Sequence, residues 1–268
     1  MLSLLFRDPL SLGLAQAGVT ALLAIAVAYG VRWWGIRIER EAAASLVRAI
    51  FQVVAVGLVI GVLLRGPAWT SVFLLAGMVA AAAAIAARRA RKLPGAFWDT
   101  LRGVGIGSGV VILLMVFAGV MELEVASLVP VDSMIVANAM NSASLALDRI
   151  RAEVEGHTGQ IEAGLALGAD PTTMVAPYVR KAVEASLIPR VDTLRSLGIV
   201  WIPGVMAGMI LSGSDPVYAA VYQFAVLAMI LAAAGIASVI TLVLLRHWAF
   251  SVAAQLTLRP GQAGQGPR

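Results

Sequence analysis

The residues that could perform chemistry are few, and their types exclude most catalytic sites. The chain has no cysteine, which rules out disulfides, thiolate metal sites, iron–sulfur clusters and a cysteine nucleophile. Neither Lys92 nor Lys181 follows a glycine, so the phosphate-binding loop G-x-x-x-x-G-K-[ST] is absent. His157 fits a solvated loop, and His247 fits a membrane interface. We expect no enzyme activity.

Polar side chains recur along one otherwise apolar stretch, Val125–Leu147. Polar groups inside a membrane span usually face a cavity or another helix. Carboxylate and amide oxygens suit hard cations, whereas a thioether suits soft ones. The candidate pathway residues are Asp132, Asn138, Asn141, Ser144 and Met206. The alternative is structural, because asparagines also hydrogen-bond neighbouring helices and methionine fills irregular gaps. Metal ligands stay unassigned.

The composition indicates a membrane protein. Hydrophobic residues make up 60% of the chain, charged residues only 13%, and the mean hydropathy is +0.90. Soluble domains carry about a quarter charged residues. The net charge of +5 accompanies apolar segments, which favours orientation in a bilayer over binding to nucleic acid.

The hydropathy pattern predicts an all-α, polytopic fold with about seven transmembrane helices. A helix needs roughly 20 apolar residues to cross the hydrocarbon core. The predicted spans are Leu10–Val31, Leu46–Leu64, Ala68–Ala87, Gly103–Met121, Val125–Leu147, Leu187–Leu211 and Tyr218–Leu245. They would form one transmembrane domain over residues 1–258, followed by a disordered Gly/Pro-rich tail, 259–268.

The basic residues predict the orientation. All except Arg7 and Arg65 fall on one side of the predicted spans, and that side is then cytoplasmic. The N-terminus would lie outside and the C-terminus inside, in a multi-pass protein of the inner (plasma) membrane. No internal repeat is evident.

Three features of the spans have local interpretations. Pro203 and Gly204 should break or kink the sixth span and form a hinge. Arg190, Asp192 and Arg195 are expected to form a satisfied ion cluster, with a gate as the alternative. Glycine pairs with four-residue spacing permit close helix approach. These pairs are Gly57/Gly61, Gly105/Gly109 and Gly204/Gly208.

One long polar loop, about residues 148–186, separates the fifth and sixth spans. It predicts a short helix from Thr158 to Gly168 with an apolar side formed by Ile161, Leu165 and Leu167. Gly168-Ala169-Asp170-Pro171 should end that helix and begin a second, Thr172–Glu184. Two helices joined by a tight turn can dock in a groove of a soluble protein. The alternative is an amphipathic helix that lies on the lipid.

The loop resembles a known element. Glu162-Ala163-Gly164, three residues and Gly168 are similar to the E-A-A-x-x-x-G element of ABC-transporter permeases, which inserts as a coupling helix into a cleft on the ATPase subunit. Two departures are visible. Gly164 stands where the pattern prefers alanine, and Ile188-Pro189 lies farther along than usual.

Neighbouring residues resemble one family more specifically. Asn138–Arg149 is similar to the N-x-M-N-x-x-S-L-x-L-x-R signature of the FetB-like iron-export permeases, a family that also includes plant proteins linked to aluminium tolerance. Leu197–Gly208 continues the resemblance, although Trp201 and Val205 stand where leucine and methionine are commoner. The match runs from about Val131 to Gln223 and, through hydropathy, over nearly the whole chain.

The resemblance implies a permease subunit that exports iron or another metal. Two copies would pair with two soluble ATPase subunits, which bind the ATP and Mg²⁺, while this chain binds no cofactor itself. The implied ATPase-docking residues are Glu162, Ala163, Leu165, Leu167, Gly168, Ala169, Asp170 and Pro171. The remaining alternatives are a gradient-driven secondary transporter, an ABC permease for a non-metal solute, and a membrane scaffold without transport.

Overall fold

The computed structural model describes residues 9–35, 37–63, 69–90, 95–120 and 125–245, and every regular element among them is a helix. The all-α prediction is confirmed for these residues. Two short 3₁₀ turns, Arg32–Trp34 and Arg88–Ala90, accompany nine α-helices. In chain order these are α1 (Pro9–Val31), α2 (Glu39–Leu63), α3 (Thr70–Ala87), α4 (Ala96–Phe117), α5 (Val125–Gly156), α6 (Thr158–Ala166), α7 (Pro171–Ser196), α8 (Gly204–Leu211) and α9 (Pro216–Leu245). The predicted disordered tail and His247 lie outside the described residues.

The chain divides into two compact units, Met1–Pro67 and Ala68–Arg268. The first contains α1 and α2, with an ion pair of 3.2 Å between Arg32 and Glu39 across their connection. The second contains α3 to α9 and all the candidate site residues. A single domain over 1–258 stays a prediction.

Four described helices are long and apolar enough to cross a membrane. They are Ser11–Trp34, Glu39–Gly61, Ala96–Phe117 and Pro216–Leu245. These overlap the first, second, fourth and seventh predicted spans. The third coincides with a shorter apolar helix, Val72–Ala87. The fifth forms the first part of α5, which continues beyond Leu147 to Gly156.

The predicted sixth span, Leu187–Leu211, is not a single helix, because it contains the end of α7, a non-helical segment and α8. Helix α7 begins at Pro171, passes Glu184 and ends only at Ser196. The chain then leaves the helical conformation until α8 begins. Gly198 has a φ of +73°, a left-handed conformation that favours glycine, and Pro203, the N-cap of α8, is extended. The break therefore lies at the predicted Pro203–Gly204 position and extends back from it.

The same four-residue motif separates two pairs of helices. Gly168-Ala169-Asp170-Pro171 lies between α6 and α7, and Gly213-Ser214-Asp215-Pro216 lies between α8 and α9. Each glycine has a positive φ, +86° and +96°. The next amide closes a Schellman turn, and the aspartate then accepts a backbone N–H three residues on, at 2.9 Å in both cases. Proline at the first helical position needs no N–H partner. These four residues therefore specify locally where α6 and α8 end and where α7 and α9 begin.

Helices α4 and α9 pack with their backbones in close contact. A Cβ on Gly103 would lie 2.0 Å from the Thr241 hydroxyl, and one on Gly107 would lie 2.8 Å from the Ala233 carbonyl oxygen. The close approach thus uses the Gly103/Gly107 pair and not the predicted Gly105/Gly109 pair. No described atom lies within 4 Å of such a Cβ on Gly57, Gly61, Gly109, Gly204 or Gly208. The four-residue spacing of glycines predicts that helices pack closely, but it does not predict which glycines form the contact.

Replacing Gly107 with valine should separate α4 from α9, because backbone atoms of α9 occupy the position of the new Cβ. We expect a loss of about 1–3 kcal/mol in the free energy of unfolding, measured by thermal or denaturant unfolding of the purified protein in detergent. The matched control is Gly109→Val, on the same helix with an open Cβ position. Equal stability of the two variants would contradict this packing.

Candidate functional site

Helix α6 has one buried side and one exposed side. Ile161 is completely buried and Leu165 is half-buried, whereas Glu162 and Ala163 are exposed. Leu167, predicted to share the apolar side, instead ends the helix and is 89% exposed. Its side chain therefore lies at the surface of the turn.

A buried apolar cluster attaches α6 to the long helices, and we call it the anchor cluster. It contains residues from α4, α5, α6, α7 and α9. Its members are Ala96, Ala146, Leu147, Ile150, Val154, Ile161, Val175, Tyr178, Ala182, Leu242 and Leu245. Fully burying one isoleucine side chain contributes about 1.5–3 kcal/mol. The turn is therefore packed onto the helix bundle.

Polar contacts surround the anchor cluster. The rings of His157 and Tyr178 lie 4.8 Å apart, and the Tyr178 hydroxyl donates to the Gln160 side-chain oxygen at 3.3 Å. Glu153 forms an ion pair with Arg149 at 2.9 Å. His157 is thus half-buried and packed, not a freely solvated loop residue.

The glycine at position 164, where the E-A-A-x-x-x-G element prefers alanine, has a visible structural cause. A Cβ on Gly164 would lie 2.5 Å from the terminal methyl of Met174 and 2.8 Å from its sulfur. The Met174 side chain therefore fills the space that alanine would use.

Asp170 accepts hydrogen bonds from the hydroxyls of Thr172 and Thr173 and from the Thr173 amide. These bonds, the Thr172 hydroxyl first, hold the pKa of the exposed Asp170 carboxyl below its ordinary value of 3.8.

Replacing Asp170 with alanine should speed amide hydrogen exchange at Thr173, because the N-cap acceptor is lost. Asp170→Asn is the control, since asparagine caps comparably. The lowered pKa adds a pH dependence. The ionised cap stabilises the turn above pH 3.8, and this contribution is lost as the pH falls below that value. Exchange mass spectrometry of the peptide containing Thr173 measures both effects. Unchanged exchange in the alanine variant would contradict the capping role.

A second candidate region is a pocket of about 460 Å³ between α5, α7, the segment before α8, and α9. We call it the polar pocket. Its lining residues are Met134, Asn138, Arg190, Thr193, Leu194, Ser196, Trp201, Leu227 and Ile230. This volume is within the range of small-molecule sites, about 300–1,000 Å³.

Arg190 crosses from α7 to α5 in this pocket. Its guanidinium donates to the Asn138 side-chain oxygen, while the Asn138 amide donates to the Met134 carbonyl at 2.7 Å. The predicted ion cluster is therefore incomplete. Asp192 pairs with Arg195 at 3.4 Å, whereas Arg190 donates to Asn138 and forms no ion pair among the described residues. The charge pattern along the sequence could not reveal this, because the partner is a neutral residue 52 positions away.

The other predicted pathway residues do not meet at the polar pocket. Asp132 is completely buried in α5, and neither carboxylate oxygen has a hydrogen-bond partner. Asn141 is exposed and Ser144 is buried. The Met206 amide donates to the side-chain oxygen of Gln223 at 3.3 Å. Of the five predicted residues, Asn138 alone lines this pocket.

Two residues were not recognised from the sequence as site residues. Arg190 lines the polar pocket, and Gln223 is a completely buried amide that joins α9 to α8. A buried glutamine in an apolar helix is the signal that could have identified Gln223. Among the described residues, no group of three or more histidine, aspartate or glutamate side chains could hold a metal ion.

Comparisons with known proteins find relatives that match most of this chain. The model of the uncharacterised protein family UPF0014 matches residues 14–250. The chain is similar to the "Probable iron export permease protein FetB" of Escherichia coli (strain K12), with 29% identity over 228 residues, 85% of this chain and 87% of the relative.

Two further relatives come from other lineages. The "UPF0014 membrane protein slr1647" of Synechocystis is 33% identical over 219 residues, 78% of this chain and 83% of the relative. "Protein ALUMINUM SENSITIVE 3" of Arabidopsis thaliana is 28% identical over 227 residues, 84% of this chain and 82% of the relative. No solved structure matches this chain.

Proposed function

This chain belongs to the UPF0014 family of membrane proteins, and we propose that it is the transmembrane permease subunit of an ABC transporter. A soluble ATPase subunit would bind ATP and Mg²⁺ and dock on the 160–184 loop. The transported substrate would be iron or another metal, moved outward; the Escherichia coli relative is named a probable iron export permease. Two permease copies would form the transport unit, with the loop on the cytoplasmic side.

The observation that carries the proposal is the geometry of the α6–α7 turn. Its outer surface presents exposed Glu162, Ala163 and Leu167, while its inner surface is fixed by Ile161 in the anchor cluster. A helix that only lay on lipid would bury its apolar side in the membrane. Here that side is buried in the protein, and the tip remains available to a soluble partner.

The anchor cluster provides the packed connection between the turn and the transmembrane helices that the proposal requires. ATP-driven movement of a docked subunit can act on the transmembrane helices only through packed, stiff contacts. Ile161 belongs to the anchor cluster, which also contains residues of α5, α7 and α9, and α7 continues from the turn to the polar pocket. Force applied at Leu167 would therefore reach the pocket through one helix.

A gradient-driven secondary transporter is the competing function. It would need no ATPase, and the exposed tip would then have no partner. Copurification of an ATP-binding subunit with the tagged chain separates the two functions, and transport in proteoliposomes without any ATPase would favour the gradient.

Replacing Gly168 with valine should uncouple ATP hydrolysis from this chain. The glycine φ of +86° is costly for a β-branched residue, so the turn would change shape. We expect membrane insertion to persist and stimulation of the ATPase by the permease to be lost. Gly159→Val is the matched control, because Gly159 is exposed on the same short helix, has no positive φ and no Cβ obstruction. Intact stimulation in the Gly168 variant would sink the coupling role.

Replacing Leu167 with glutamate should weaken ATPase docking. Burying a new charge in an apolar cleft is unfavourable, and we expect the affinity for the ATPase to fall about tenfold or more, equivalent to at least ~1.4 kcal/mol. Gly159→Glu places the same charge at the other end of α6 and should bind normally. Binding of the purified ATPase to the reconstituted permease is the measurement. Equal affinities of the two variants would argue against docking at the tip.

A further inference from the structure

The polar pocket contains a positive charge and no negative one. Arg190 lines it, and neither aspartate nor glutamate is among its lining residues. The nearest carboxylate along α7, Asp192, is exposed and paired with Arg195. Buried Asp132 on α5 does not line the pocket. The charge of Arg190 is therefore not neutralised inside the pocket.

Arg190 has a free hydrogen-bond donor in this pocket, whereas the hydroxyls of Thr193 and Ser196 are already used. Thr193 donates its hydroxyl to the Pro189 carbonyl at 2.8 Å, and Ser196 donates to the Thr193 carbonyl at 3.1 Å. The Asn138 amide also donates to its own helix. Arg190, in contrast, keeps a buried Nε that has no partner. A buried N–H in that state is costly unless a ligand or water accepts it.

A bare metal cation fits this lining poorly. Protein sites for metal ions use deprotonated ligands, above all carboxylates, thiolates and neutral imidazole. The polar pocket offers a thioether from Met134 and neutral oxygens, all beside a guanidinium that repels cations. Carboxylates and phosphates match arginine instead, because their oxygens accept its parallel N–H groups.

We propose that the polar pocket is a substrate site for an oxygen-rich anion, a carboxylate or phosphate, either free or as the anionic complex of a metal ion. Arg190 is the binding group, and Asn138 orients it. This inference rests on the proposed transport function and specifies its substrate class. Metal export then proceeds with the metal's charge already compensated by its carrier anion.

Trp201 lines the same pocket and provides a direct reading of occupancy. The full-length chain is reconstituted in nanodiscs without ATPase, and its tryptophan fluorescence is titrated with citrate, gallium(III) citrate, inorganic phosphate and zinc chloride. Gallium(III) and zinc(II) have no unpaired electrons, which avoids paramagnetic quenching. The Trp201→Phe variant supplies the background from the other tryptophans.

We expect at least one anionic probe to give a saturable Trp201 signal and zinc chloride to give none. Arg190→Gln should weaken that binding about tenfold or more. Arg190→Lys should recover part of it, since lysine keeps the charge but loses the planar fork. Arg195→Gln is the matched control, on the same helix but outside the polar pocket, and should bind as the unchanged chain does.

The outcomes separate the two sources of the anion. Binding of citrate and gallium citrate with equal affinity assigns the site to the anion itself, and a clear preference for gallium citrate assigns it to the metal complex. The proposal is overturned if no anionic probe saturates the signal, if zinc alone does, or if Arg190→Gln binds unchanged while remaining folded by thermal unfolding. Because no ATPase is present, such a failure leaves ATPase docking at Leu167 to be judged by its own test.

Discussion

The connection between the exposed turn and the polar pocket depends on the continuity of α7. This helix of 26 residues is about 39 Å long at 1.5 Å per residue. Its first residue, Pro171, completes the exposed turn, and its later residues Arg190, Thr193 and Ser196 line the polar pocket. A loop between these two regions would let each move alone. Pro177 and Pro189 lie inside this helix, and each removes one backbone hydrogen bond. A displacement at one end therefore becomes a displacement at the other only where packing holds the sides of the helix.

Two kinds of packing hold it. Near the turn, the anchor cluster surrounds Val175, Tyr178 and Ala182 with apolar side chains of the neighbouring helices. Farther along, the hydroxyls of Ser186 and Ser238 form a hydrogen bond of 3.1 Å, and Arg190 binds Asn138. Helix α9 is in turn held against α4, where Gly103 and Gly107 bring the backbones together. Apolar packing thus fixes the end near the turn, and polar contacts that can exchange partners hold the end near the pocket.

The sequence predicted those features that residues specify locally. The helical class, the stop at Gly168, the new start at Asp170-Pro171 and the break at Pro203 follow from conformational preferences of single residues, and the structure has each of them. Features that depend on contacts distant in the chain were predicted less well. The hydropathy pattern placed the end of α7 and the whole of α8 in one predicted span, because the residues on both sides of Gly198 are apolar. Arg190 was grouped with its charged neighbours, although its contact is Asn138. The glycine spacing was recognised, but its register was set by α9.

The central claim is that events at the turn reach the polar pocket through α7. The most direct test is Trp201 fluorescence in the reconstituted complex of permease and ATPase, recorded before and after a non-hydrolysable ATP analogue is added, with Trp201→Phe as background. Trp201 lines the polar pocket. Helix α7 connects this pocket to the turn that carries the proposed docking surface. We expect a change in the Trp201 signal that needs both the ATPase and the nucleotide. An unchanged signal in a complex that binds the analogue would contradict it.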